Sequence, residues 1–122
     1  MCRLFVGAAP QLWEAQTRSI RLDGVSTSVR LESFFWCLLE EIGQRDGLTL
    51  GQLLTRLARE SSEAGHDLAN FASFLRVCCA RYQALQLAGE IPKDSSVAIA
   101  DLDAPGILAR EKRQRSHPPL SA

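Results

Sequence analysis

The stretch Thr27-Ser28-Val29-Arg30-Leu31-Glu32 decides the predicted fold, because its apolar and polar side chains alternate. Successive side chains of a β-strand point to opposite faces, so Val29 and Leu31 share an apolar face. The pattern predicts a strand that buries one face and exposes the other. The exposed face then carries small, polar and basic side chains: Ser26, Ser28 and Arg30.

A second alternating stretch, Ser19-Ile20-Arg21-Leu22, lies just upstream. Asp23-Gly24 separates the two stretches, and this dipeptide is a strong signal for a tight turn between antiparallel strands. Residues 20–22 are therefore able to pair with the following strand and widen the sheet. Further upstream, residues 2–6 are predicted as a short strand and Pro10 as the first residue of a brief helix.

Apolar residues at helical spacing follow the strand. They predict a first helix from about Ser33 to Arg45, with Ser33 as its cap and Gly47 as its left-handed stop. A second helix is predicted from Thr49 to about Glu60.

The start of that second helix carries a specific local signal. Thr49-Leu50-Gly51-Gln52 fits a capping box, in which the side chains of Thr49 and Gln52 each accept the other's backbone amide. Asp67 is predicted to cap a third, longer helix that ends near Gly89.

The composition changes after that glycine, and four prolines interrupt residues 90–122. We therefore expect three parts: an N-terminal extension over residues 1–16, a folded domain over 17–89 and a flexible C-terminal tail over 90–122. Within the tail, a short helix is possible from about Asp103.

Length and charge narrow the class of protein. The chain has 122 residues and 13.4 kDa, which is typical of one domain. Fourteen basic residues balance fourteen acidic ones, which excludes a polycation that coats nucleic acid by charge alone. We expect a cytoplasmic protein, because no apolar run reaches membrane-spanning length and the N-terminus lacks a signal-peptide pattern. The small core also argues against an enzyme.

The four cysteines form no metal-binding pattern. They contain no CxxC pair, and His66 and His117 lie far apart. Without a signal peptide the cysteines are expected to be thiols, three of them packed as small apolar residues. We therefore expect no metal and no cofactor.

One strand followed by two helices poses a physical problem, because a lone strand cannot satisfy its own backbone groups. Pairing with the same strand of a second copy would solve it, forming a homodimer with an antiparallel ribbon and a shared helical core. Such a ribbon is narrow enough to enter the major groove of DNA.

At this point the chain resembles a known family. The strand at 27–32, Phe35-Trp36, residues 39–42 and Gly47-Leu48-Thr49 look like a ribbon-helix-helix domain of the MetJ/Arc superfamily. Residues 70–77 resemble the third-helix segment of a bacterial branch of it. The resemblance covers roughly residues 20–82. It implies a mainly α fold with a short β-ribbon: a ribbon-helix-helix homodimer with an extra C-terminal helix and a flexible tail.

The resemblance also implies a function and a site. Proteins of this kind read bases of double-stranded DNA with the outer face of the ribbon, here Ser26, Ser28 and Arg30. We therefore expect this chain to be a transcriptional regulator that is associated with the nucleoid in the cytoplasm. Proteins of this kind also anchor a phosphate at the start of the second helix, here Thr49, Leu50 and Gly51. Arg30 is the strongest candidate for a specific contact, because its guanidinium can bond guanine N7 and O6 together.

Two alternatives stay open. Many small proteins of this type resemble antitoxins, whose tails fold on a protein partner, and residues 90–122 have a suitable composition. Separately, Met1-Cys2-Arg3-Leu4 resembles the opening of N-terminal-nucleophile amidotransferases, in which a free α-amine activates the adjacent nucleophile. The chain is too short for the layered sheets of that enzyme fold.

Overall fold

The fold is a β-hairpin laid on a group of helices, in a computed structural model that describes residues 2–22 and 24–114. Asp23 and residues 115–122, which hold the predicted disordered end of the tail, lie outside the described residues. Short 3-10 turns at Pro10–Trp13, Leu68–Asn70 and Ile99–Asp101 connect the main elements. Those elements are α1 (Cys2–Val6), β1 (Ala15–Leu22), β2 (Val25–Glu32), α2 (Ser33–Arg45), α3 (Leu50–Glu63), α4 (Phe71–Leu87) and α5 (Ala104–Gln114).

The two strands pair with each other in antiparallel register. Leu22 lies opposite Val25 at the turn, and Ala15 lies opposite Glu32 at the open end. Both predicted strands are confirmed, and so is the widening of the sheet by the upstream stretch. The predicted pairing of β2 with its symmetry mate stays a prediction: β1 of the same chain occupies one edge of β2, and the opposite edge has no neighbouring strand among the described residues of this chain.

The inner face of the hairpin forms part of the core, as its alternation predicts. Val29 and Leu31 are 4% and 0% exposed, and Ile20 of β1 is buried beside them. They pack with α2, α3 and α4 in one apolar cluster. The buried residues contributed by these helices are Trp36, Leu39, Leu53, Leu54, Ala58, Phe71, Leu75 and Cys79.

Trp36 ties α2 to the first strand. Its indole Nε1 donates a hydrogen bond to the carbonyl oxygen of Gln16 at 2.9 Å. The guanidinium of Arg18 lies 5.2 Å from the ring centroid and 3.6 Å from a carboxylate oxygen of Glu40. Trp36 thus packs within its own chain, and Arg18 lies on the inner side of the hairpin and adds no charge to the outer face.

The helix ends follow the predicted signals with two exceptions, at Ser33 and at Asp67, which caps the 3-10 turn Leu68–Asn70 and not α4, whose N-cap is Asn70. The capping box of Thr49 and Gln52 is present, and Gly47 has a φ of 68°, the left-handed stop. Ser33 is not the cap of α2: Glu32 holds that position, and the Ser33 hydroxyl donates to the carbonyl of Glu14 at 3.0 Å. A strand that runs straight into a helix leaves this hydroxyl beside β1, where that carbonyl is within reach.

The segment after Gly89 differs from the predicted flexible tail, since residues 90–114 pack against the domain. Ile91 and Ile107 are buried, and α5 begins one residue after the predicted Asp103. Two ion pairs hold α5: Arg81 with Glu111, and Arg110 with Glu90.

Arg45 anchors the irregular part of that segment. It is 6% exposed, and its guanidinium donates to the carbonyls of Pro92, Asp94 and Val97 and to the hydroxyl of Tyr82. Neighbouring Asp46 accepts the backbone amides of residues 99 and 100. Charge-assisted hydrogen bonds to backbone groups therefore order a proline-interrupted segment that composition alone assigns to disorder.

The N-terminal extension is helical over Cys2–Val6, where the sequence predicts a short strand. Among the described residues the sheet consists of β1 and β2 alone, and residues 2–6 do not join it. The backbone instead closes on itself, with the amide of Gly7 bonded to the carbonyl of Arg3 at 3.0 Å. The predicted start of a brief helix at Pro10 is confirmed.

Candidate nucleic-acid interface

The outer face of the hairpin presents polar and basic side chains from both strands. Directly opposed residues of an antiparallel pair share a face, and the predicted residues Ser26, Ser28 and Arg30 are all exposed. Their partners across the hairpin are exposed as well. The opposed pairs are Arg21 with Ser26, Ser19 with Ser28, and Thr17 with Arg30.

The three partners on β1 extend the predicted set of site residues. The sequence indicated where these three residues lie, because the turn dipeptide and the alternation of both stretches predict a hairpin. The family resemblance, however, implied base contacts for β2 alone. Because β1 pairs with β2, each of these residues on β2 has a neighbour of the same chain on the same face.

The dimensions of this face suit a DNA groove. Neighbouring strands lie roughly 4.8 Å apart, and the major groove of B-form DNA is about 12 Å wide. The face carries hydroxyl groups, which both donate and accept hydrogen bonds, between two arginines at opposite ends. These groups can read donor and acceptor patterns on base edges.

Arg30 keeps its guanidinium available. Glu32, two residues along the same strand, is engaged by Arg76, whose Nε and Nη2 donate to its carboxylate at 2.9 and 3.3 Å. That contact lowers the pKa of Glu32 below its ordinary value of 4.5. No carboxylate lies within ion-pair distance of Arg30 among residues 2–22 and 24–114.

The start of α3 offers backbone donors to an anion. The Thr49 hydroxyl accepts from the Gln52 amide at 3.2 Å, and the Gln52 side chain accepts from the Thr49 amide at 2.9 Å. In the described part of the chain, the amides of Leu50 and Gly51 have no acceptor. A Cβ built on Gly51 would meet no atom within 4 Å, so the approach to these amides is open.

The first turns of α3 lie beside the hairpin at Gly51 and Thr55. Gly51 and Thr55 face Ser19 and Arg21 across a groove of about 450 Å³. The Thr55 hydroxyl donates to the carbonyl of Arg21 at 3.5 Å. The predicted phosphate position at Gly51 therefore lies beside β1, one strand away from the predicted base-contact residues, while Thr49 lines a neighbouring groove with Gly47.

Other candidate sites gain no support. Among residues 2–22 and 24–114, no cluster of three histidine, cysteine or carboxylate side chains has the geometry to hold a metal ion. Within the same residues, no helix has the length and apolar character needed to cross a membrane. Cys2 is exposed on the short helix α1.

Comparison with known proteins agrees with this architecture. A solved structure of an uncharacterized protein from Bordetella pertussis Tohama I is 48% identical in sequence, with a TM-score of 0.82; the match covers 97% of this chain and 90% of that one. No curated protein matches the chain. The sequence of residues 15–83 matches the ribbon-helix-helix domain family, whose members generally dimerise, bind DNA and are typically not enzymes. More than half of the chain lies within that match, and the chain therefore belongs to the ribbon-helix-helix domain family.

Proposed function

We propose that this protein binds double-stranded DNA sequence-specifically, with the outer face of its β-hairpin in the major groove, and that it regulates transcription. The observation that carries the proposal is the register of the hairpin. It gathers exposed side chains with hydrogen-bonding groups on one narrow face and directs the apolar side chains into the core.

The hairpin face and the start of α3 make different contacts with the DNA. Arg30 donates two hydrogen bonds to guanine N7 and O6, which is the commonest specific contact in the major groove. Ser26 and Ser28 donate to or accept from neighbouring base edges, so they discriminate less strictly. The amides of Leu50 and Gly51 and the hydroxyl of Thr49 bind a backbone phosphate, which sets the depth and register of the hairpin.

We propose that the binding unit is a homodimer. The family generally dimerises, and a two-fold pair of chains places two hairpins on one duplex, so the site is a palindrome of two half-sites. Its place of action is then the cytoplasm, on the bacterial nucleoid. A partner-folding tail is a weaker candidate, because residues 90–114 are already folded against the domain.

Selection of duplexes from a random pool by the purified protein tests the proposal. We expect enrichment of one palindromic sequence by the wild type, and loss of that preference in Arg30→Ala and Ser28→Ala. A missing bidentate contact to guanine costs about 1–3 kcal/mol of discrimination. The matched controls are Lys93→Ala and Ser73→Ala, which change exposed residues outside the hairpin.

Unfolding temperatures of all four variants establish that the fold is kept. A wild-type protein that enriches no sequence, or an Arg30 variant that selects the same sequence with the same affinity, would contradict the proposal.

A further inference from the structure

The groove beside β1 is lined by three arginines from two elements. Arg21 reaches it from the hairpin, and Arg56 and Arg59 reach it from α3. Arg56 and Arg59 are exposed and lie three residues apart, so they follow one another on the same face of the helix. The groove begins at Gly51, where the start of α3 is open to solvent.

These guanidinium groups are not neutralised by the protein. Within residues 2–22 and 24–114, none of the three forms an ion pair. Arg18 of β1 and Arg76 of α4 differ from them, because both are paired with glutamates. A neutral chain thus concentrates unpaired positive charge in one groove.

We propose that this groove binds the phosphate backbone of the DNA that the hairpin reads, with Arg56 and Arg59 as its phosphate ligands. The inference rests on the proposed function and adds residues beyond the start of α3. From Gly51 to Arg59 the helix rises about 12 Å at 1.5 Å per residue. One strand of B-form DNA carries a phosphate roughly every 3.4 Å along its axis, so the groove spans several phosphates.

Phosphate contacts have a different signature from base contacts. The loss of a phosphate contact weakens binding to every sequence by the same factor, and each lost contact reduces the magnitude of the slope of log affinity against log salt by roughly 0.9. The test is therefore a salt series with the double variant Arg56→Gln/Arg59→Gln, measured on both the selected duplex and a random duplex. The matched control is Lys93→Gln/Lys112→Gln, which removes the same charge elsewhere.

We expect the groove variant to lose about 2 from the magnitude of the slope on both duplexes, with its sequence preference unchanged. A slope equal to that of the control overturns the inference while leaving the reading by Arg30 intact. Conversely, a wild-type protein without sequence preference whose binding still depends on Arg56 and Arg59 refutes the proposed function alone.

Inorganic pyrophosphate distinguishes DNA from a free anion. We expect it to compete only weakly, in parallel with its ionic strength. The opposite outcome is that pyrophosphate binds tightly to the wild type and not to the groove variant, while the groove variant and the control variant have the same salt slope on DNA. In that case the groove holds a small anion, and the assignment to DNA is wrong.

Discussion

Ser19 of β1 lies directly opposite Ser28 of β2, and both side chains are exposed at the middle of the hairpin. Opposed residues on one face approach the same part of a groove. We expect Ser19→Ala to alter sequence preference at the base pairs that Ser28→Ala affects, by about 1 kcal/mol for a neutral hydrogen bond. Duplex selection with each single variant and the double variant measures this overlap.

Ser73→Ala serves as the control for that series, because Ser73 is exposed on α4. If Ser19→Ala leaves the preference of the wild type in place while Ser28→Ala changes it, β1 does not face the bases.

Arg45 is expected to dominate the attachment of the C-terminal segment. Arg45→Ala leaves the Tyr82 hydroxyl and three backbone carbonyls without their shared donor, and charged hydrogen bonds contribute about 1.5–3 kcal/mol each when removed singly. We expect a loss of roughly 3 kcal/mol or more in the free energy of unfolding, measured by urea denaturation. Arg45→Lys should recover only part of it, since an ammonium cannot reproduce the planar fork.

Tyr82→Phe provides the comparison, because it removes one of the four partners and keeps the ring in place. A urea midpoint for Arg45→Ala as high as that of Tyr82→Phe would show that the carbonyl contacts add nothing to stability.

Glu32 should make a pH-dependent contribution to stability. Hydrogen bonds from Arg76 hold the pKa of its carboxyl below 4.5 in the folded chain. A lowered folded pKa stabilises the protein fully above the ordinary value and less as pH falls through the folded value. We expect Glu32→Gln to lower the free energy of unfolding by about 1 kcal/mol or less at pH 7, because the pair is partly exposed.

That difference between wild type and variant should shrink as the pH drops below 4.5, as followed by urea denaturation across the pH range. The matched control is Glu63→Gln, which removes an exposed carboxylate at the end of α3. A difference for Glu32→Gln that stays constant down to pH 3 would exclude the ion pair as its cause.

Cys79 should be the least reactive of the described thiols. Burial, with a smaller effect from neighbouring Cys78, raises its pKa to about 12, and its Sγ donates to the carbonyl of Phe35 at 3.7 Å. At pH 8 roughly one thiol in ten thousand would then be ionised. We expect iodoacetamide to label exposed Cys37 long before Cys79, as resolved by peptide mass spectrometry. Equal labelling rates in the native protein would contradict this, and equal rates in urea are the control.

Local sequence signals predicted most of the ribbon-helix-helix region. Alternation located both strands, and the capping box at Thr49 and the glycine at 47 marked the boundary between α2 and α3. These signals operate over a few residues, so the sequence displays them directly. The turn signal between the two alternating stretches also predicted that the upstream strand pairs with β2, as it does.

The sequence suggested a short helix near Asp103, but it did not predict that residues 90–114 pack against the domain. Three of the groups that accept hydrogen bonds from Arg45 are backbone carbonyls 47 to 52 residues away. Every residue has a backbone carbonyl, so the sequence does not indicate which ones Arg45 binds. Pro105 lies in the first turn of α5, where its missing amide costs no helical hydrogen bond. The number of prolines in the segment had instead suggested interrupted, irregular structure. The groove arginines were missed for the same reason, since Arg21 and Arg59 meet only in the folded chain.

A hairpin made within one chain has two different strands, so its outer face has no two-fold symmetry of its own. In a ribbon built from two identical strands, both sides carry the same residues, and each ribbon has a two-fold axis. Here Thr17, Ser19 and Arg21 face Arg30, Ser28 and Ser26, so the ribbon has a direction. Each strand is free to diverge on its own, so a substitution on one strand changes one side of the hairpin and leaves the other as it was.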